Sequence, residues 1–239
     1  MAVLLGFGLQ SCDRDDNNGG DNVDNNGGNN GGGNGGDTVT VQWVDLGLPS
    51  GLLWADCNVG AQHPEDYGNY YAWGETAPKE VYDWATYAYG NDPHALTKYC
   101  DNANYGLNGF TDYLYILEAS DDAATVNLGD SARMPTKMEW QELRDYTTSI
   151  WTSKNGVNGL LLTGKNDKSL FLPAAGGCDL SGLVLVGDMG SYWSSSLDAT
   201  GHPDGAWDCS FSSMSGSLVP TNTSRYTGSC VRAVRASQN

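Results

Sequence analysis

From residue 41 onward, apolar and polar positions alternate in short bursts. Val41, Trp43 and Asp45 alternate as in a strand, Leu48-Pro49-Ser50-Gly51 reads as a turn, and Leu52 to Asp56 predicts a second strand. "GNYYAWGE" places Tyr71 and Trp73 on one face of a third short element, and aromatic residues in such a pattern read as core. The clearest helix is "MPTKMEWQELRDYTT". Thr136 is its N-cap and Glu139, three residues on, completes a capping box. Trp140, Leu143 and Thr147 form one narrow buried stripe. A shorter helix is expected near "SDDAATVNLG". Beyond it, "SLFLPAAG", "GSYWSSSL", "GAWDCSFS" and "GSCVRAVR" read as strands, with Trp193 inward. In "GAWDCSFS", Trp207, Cys209 and Phe211 share one face and read as core, as do Val231 and Ala233 farther on. Asp208, Ser210 and Ser212 fall on the opposite face, which is expected to point away from the core. Two helices against many short strands with long polar connections predict an α+β domain rich in loops.

The region before this domain has no such pattern. From Asp13 to Asp37 only Arg14 and Val23 interrupt a run of Gly, Asn and Asp. A segment with almost nothing apolar to bury cannot offset the entropy of ordering it, so residues 12–37 are expected to act as a disordered tether, and residues 38–239 as one domain. The net charge is −17, and the tether supplies six Asp against one Arg. An acidic chain without a Lys/Arg cluster is repelled by phosphate backbones, which argues against nucleic-acid binding.

Residues 1–11 are expected to be a secretory signal peptide with its usual basic start missing, as in a truncated start. An apolar run, Ala2 to Leu9, is too short to span a bilayer and fits a signal-peptide core. "LQSC" resembles a bacterial lipobox, in which cleavage precedes the Cys and its sulfur carries a diacylglycerol, here Cys12. The acidic "DRDD" that follows resembles the signal for export to the outer face of the outer membrane in gut Bacteroides-type lipoproteins. The expected location is the cell surface of the outer membrane, held there by the lipid anchor alone.

With Cys12 lipidated, Cys57, Cys100, Cys178, Cys209 and Cys230 remain, an odd number in an oxidising compartment. Cys57 with Cys100 is the first candidate bridge and Cys209 with Cys230 the second. Small buried thiols are the alternative. The three His residues, His63, His94 and His202, sit beside polar residues or Pro in expected loops. There is no His-Glu-x-x-His, Gly-rich phosphate loop or Cys-x-x-Cys.

"VDLGLPSGLLWADCNVGA", "EDYGNYYAWGE", "LTKYC", "RMPTKMEWQEL", "FLPAAG", "YWSSSL" and "SCVRAVR" occur in order from Val41 to Arg235. Together they resemble the major-paralogous-domain proteins found in many copies in Bacteroidota, relatives of the formylglycine-generating-enzyme branch of the C-type lectin fold. The resemblance implies a C-type lectin-like fold with two helices, several short antiparallel strands and long irregular loops. The enzyme relatives use a reactive Cys pair near the C-terminus. The surroundings of Cys209 and Cys230 do not match that motif, so no catalytic activity is expected. Sugar-binding C-type lectins hold calcium. Asp198, Asp204 and Asp208 are near one another here but lack a Glu-Pro-Asn or Gln-Pro-Asp partner. No cofactor and no metal site are expected, with a structural calcium left open.

Some relatives are the variable proteins of diversity-generating retroelements. Their diversified residues lie on the strand after the Trp-Ser-Ser motif and in the loop before the last strand. The resemblance implies the same role for residues 208–228, which are dominated by small polar types suited to adaptable hydrogen bonding. The candidate ligand-binding residues are Asp198, Asp208, Ser210, Ser212, Ser213, Ser215, Ser217, Asn222, Thr223, Ser224, Arg225 and Tyr226. Residues 222–226 are expected in a loop, with Arg225 and Tyr226 as the anchors. The expected partner is an extracellular protein or a glycan. A structural or fimbria-associated surface protein without a discrete ligand is the alternative.

Overall fold

The structure is a computed structural model in which residues 41–129, 131–202 and 204–237 are described. The chain divides into two units, Met1–Thr38 and Val39–Asn239, and every described residue lies in the second. The expected signal peptide, Cys12 and the tether lie outside the described residues.

The described residues form thirteen strands and two α-helices, an α+β arrangement. In chain order these are β1 (Trp43–Asp45), β2 (Leu53–Asn58), β3 (Tyr70–Tyr71), α1 (Ala123–Leu128), α2 (Lys137–Tyr146), β4 (Thr147–Lys154), β5 (Val157–Gly164), β6 (Ser169–Pro173), β7 (Gly177–Asp179), β8 (Gly182–Val184), β9 (Met189–Leu197), β10 (Gly205–Ser212), β11 (Val219–Ser224), β12 (Ser229–Cys230) and β13 (Arg232–Arg235). They build four small sheets. β13 pairs with β2, whose other edge carries β1; β4, β5 and β6 form a meander; β7 and β8 form a hairpin. The largest sheet has the order β11-β10-β9-β12-β3. Its pairings are antiparallel except for β12 with β9, which is parallel.

Both faces of the large sheet are covered. On β9, Tyr192 points into a core with Trp140 and Leu143 of α2, the leucines of β5 and β6, and Cys209, Phe211 and Cys230. Its neighbour Trp193 points the other way, into a second core with Tyr71, Trp73, Tyr99 and Ala206. Alternation along a strand sends successive side chains to opposite faces, so a sheet covered twice buries both sets.

Helix α2 starts where its sequence predicts. Glu139 N–H donates to Thr136 Oγ1 (3.3 Å), while the Glu139 carboxylate accepts the Thr136 N–H (2.7 Å). Arg133 then grips the same carboxylate through both guanidinium ends. The buried stripe is Trp140 and Leu143, and Trp140 Nε1 donates to the Trp193 carbonyl (3.2 Å), which fixes the helix on the sheet.

Neither candidate disulfide forms, and the alternative of small buried thiols holds. All five described cysteines are buried free thiols. Cys209 and Cys230 flank the same residue, Tyr192, on opposite sides of β9. Two strand spacings put their Cα atoms ~10 Å apart, beyond the ~7 Å a bridge can span. Cys57 turns its thiol to Asp56 (3.3 Å), and Cys100 to the Asn102 carbonyl (3.3 Å).

Candidate recognition surface on the C-terminal strands

Strand β10 lies between β9 and β11, in register with β11 from Gly205↔Ser224 to Ser210↔Val219. The register against β9 shifts between Ala206 and Asp208, where β9 uses four steps to the two of β10. Ser194 stabilises this irregular stretch by donating its hydroxyl to the Trp207 carbonyl (2.7 Å). Trp207 is only half-buried, not the core residue its alternation predicts. Lys137, the first residue of α2, places its ammonium 3.0 Å over the ring centre.

Asp208 does lie on the face opposite Cys209, but that face is covered, and the side chain is 4% exposed. It is therefore not the outward-facing contact predicted. Ser191 Oγ donates to Asp208 Oδ2 (3.0 Å) and Thr221 Oγ1 donates to Oδ1 (2.8 Å). Behind them, Ser229 is 3.0 Å from Ser191, and Ser210 is 3.1 Å from Thr221. Burial pushes the carboxyl up to about 6, with the Thr221 and Ser191 hydroxyls pulling the other way.

Asp198 and Arg225 are also corrected from surface contacts to internal supports. Asp198 is fully buried and accepts from the Thr200 N–H (2.9 Å), the Thr200 hydroxyl (2.6 Å) and the Asn222 amide. Burial favours its neutral form, but these bonds prevail and hold it below the usual carboxylate range. Arg225 is fully buried. Its guanidinium donates to the carbonyls of Lys98 (3.2 Å) and Tyr99 (2.8 Å) and lies 5.5 Å over Trp73. It ties the segment after β11 to a loop more than a hundred residues away. Tyr226 is half-buried and packs edge-on against Trp84 at 5.3 Å.

Asn222, Thr223 and Ser224 belong to strand β11, not to a loop. The outward set is Ser213, Ser215 and Asn222, with Ser210, Ser212, Ser217, Thr223 and Ser224 half-exposed. Ser212 and Ser215 close the turn between β10 and β11 by exchanging backbone-to-hydroxyl bonds (3.0 and 3.2 Å), and Met214 at its tip is 96% exposed. Beside β11, a cleft of about 150 Å³ is lined by His202, Asp204, Gly205, Asn222, Thr223 and Ser224. Sequence reasoning missed the parts played by Ser191, Thr221 and Ser229. Ser191 was within reach of it, since it stands two residues before the inward Trp193 and so shares its face.

The surface offers hydroxyl, amide and imidazole groups for hydrogen bonding. The cysteines offer little reactivity: burial pushes Cys57 and Cys230 up to about 12 and Cys209 upward as well. Among the described residues, no group of three His, Cys, Asp or Glu is placed to hold a metal ion. No helix among them is long and apolar enough to cross a membrane. No family model, curated protein or solved structure matches the chain.

Proposed function

We propose that the protein is a lipid-anchored surface protein of the outer membrane whose C-terminal strands bind an extracellular protein or glycan. Its domain is taken as C-type lectin-like, on the ordered motifs from Val41 to Arg235 and their agreement with an α+β arrangement. Cys12 is the proposed lipid attachment and residues 12–37 the tether. The observation that carries the reading is the contrast within residues 198–226. Asp198, Asp208 and Arg225 lock the strands from within, while Ser213, Ser215 and Asn222 stay on the surface beside the small polar cleft. A fixed backbone presenting short polar side chains loses little entropy when it engages a ligand. The same frame tolerates exchange of the outward residues, as a diversified surface requires.

A glycan array probed with the whole domain tests this. Capture of at least one glycan, lost in the triple variant Ser213→Ala, Ser215→Ala, Asn222→Ala while a single cooperative unfolding transition is retained, supports the reading. Capture undiminished in that variant places recognition elsewhere. The structural alternative is favoured by the β7–β8 hairpin, where Leu180, Leu183 and Leu185 are each more than half exposed. It predicts purification in a stoichiometric assembly through that hairpin, and a strictly monomeric protein counts against it.

A further inference from the structure

A larger cleft, sharing no residue with the one beside β11, lies at the far end of β13. Its volume is about 640 Å³, within the ~300–1,000 Å³ range of small-molecule sites. Its lining includes the apolar Ile116, Leu117, Ala119, Ala132 and Met134. Arg235 lines it as well, and also borders a neighbouring groove together with Trp43.

Arg235 differs from the other described arginines in what its terminal nitrogens meet. Arg133 and Arg144 bond carboxylates, and Arg225 and Arg232 bond backbone carbonyls. Among the described residues, no carboxylate lies within ion-pair distance of Arg235. Its Nε is shut off from solvent without a hydrogen-bond partner. Its guanidinium instead lies over the Trp43 ring, 4.5 Å from the ring centre, in a cation–π contact. In a chain of net charge −17, carboxylates are not scarce, so a held guanidinium with no acceptor stands out. The carboxylate that does line the cleft, Asp122, is spent: its oxygens accept the N–H groups of Ala124, Thr125 and Met134. Thr125 and Thr136 are likewise committed, the first to the Ala132 carbonyl and the second to capping α2. The cleft therefore offers apolar lining and one planar cation without a carboxylate partner among the described residues.

We infer that this cleft binds a small amphipathic carboxylate, with its anionic end paired end-on to the two terminal nitrogens of Arg235 and its apolar body against Leu117, Ala132 and Met134. A guanidinium fork matches a carboxylate with two parallel hydrogen bonds, and such charge-assisted pairs are stronger than neutral ones. The inference is independent of the surface proposed above, because none of its residues belongs to that surface.

The test is an amide NMR titration of the full chain with 4-phenylbutyrate and with its neutral counterpart 4-phenylbutan-1-ol. The expected shifts centre on Leu117, Thr125, Ala132, Ser195 and Arg235. The acid is expected to bind about ten-fold tighter than the alcohol, the scale of one charge-assisted hydrogen bond. Arg235→Gln should remove that preference and Arg235→Lys retain part of it. Equal binding of acid and alcohol by the unaltered protein overturns the inference, and this comparison needs no variant to fold. Shifts located elsewhere, or an undiminished preference in Arg235→Gln, overturn it as well.

Discussion

Asp208 carries an ionisable group into a place that disfavours its charge. Its folded pKa of about 6 lies above the ~3.9 of an unfolded Asp, so the folded state holds the proton more tightly. The contribution is fully present below about pH 4 and is lost as pH rises to about 6, at a cost of ~3 kcal/mol. Asp208→Asn should escape that loss. Urea unfolding from pH 4 to 7 is expected to show the variant gaining on the parent across this window, with no further gain above it. A constant difference would mean that Asp208 does not titrate there. Arg225 makes the opposite case, a permanent charge that donates to two backbone carbonyls. Arg225→Ala leaves the Lys98 and Tyr99 carbonyls without their donor and should cost about 3–5 kcal/mol in the same measurement, against about 0.5 kcal/mol for Ser213→Ala on the surface. Neither burial was legible from residue type. Charge tells what burial costs, but the partners that offset it are set by tertiary contacts, and those of Arg225 lie 127 and 126 residues away.

Elements were legible where their signals are local. The capping box of α2 needs only Thr136 and Glu139, and both bonds are present. Thr136→Ala is expected to lower stability by ~1 kcal/mol in thermal or urea unfolding, and a neutral result would shift the stabilising role to the Arg133–Glu139 pair. The β4–β5 hairpin had an available signal, Asn155-Gly156, whose positive φ values of 49° and 83° suit a tight two-residue turn. Strand β11 had none. It sits on the sheet edge, with no residue fully buried, so its Thr and Asn side chains never alternate with apolar ones. A strand held by backbone pairing on one side alone looks, as a sequence, like a loop.

For the whole molecule, the acidic balance is a stability term as well as a solubility one. A net charge of −17 repels itself most when the chain is compact. Raising NaCl from about 20 mM to about 0.2 M shortens the screening length from ~20 to ~7 Å and should raise the melting temperature by a few degrees. A fall would mean that attractive pairs such as Lys98 with Asp121 and Glu118 dominate instead. The α+β class could be read at this scale because strand-like segments outnumber helices. The covering of the large sheet on both faces could not, since the loop carrying Tyr82, Tyr87 and Tyr99 reads as irregular until it is seen packed down. One consequence belongs to the turn between β10 and β11. Ser212 and Ser215 latch its base while the Met214 side chain stands free at the tip. A foreign peptide spliced in beyond that latch would lengthen only an exposed loop, which makes this turn a natural grafting point for an epitope or an affinity tag.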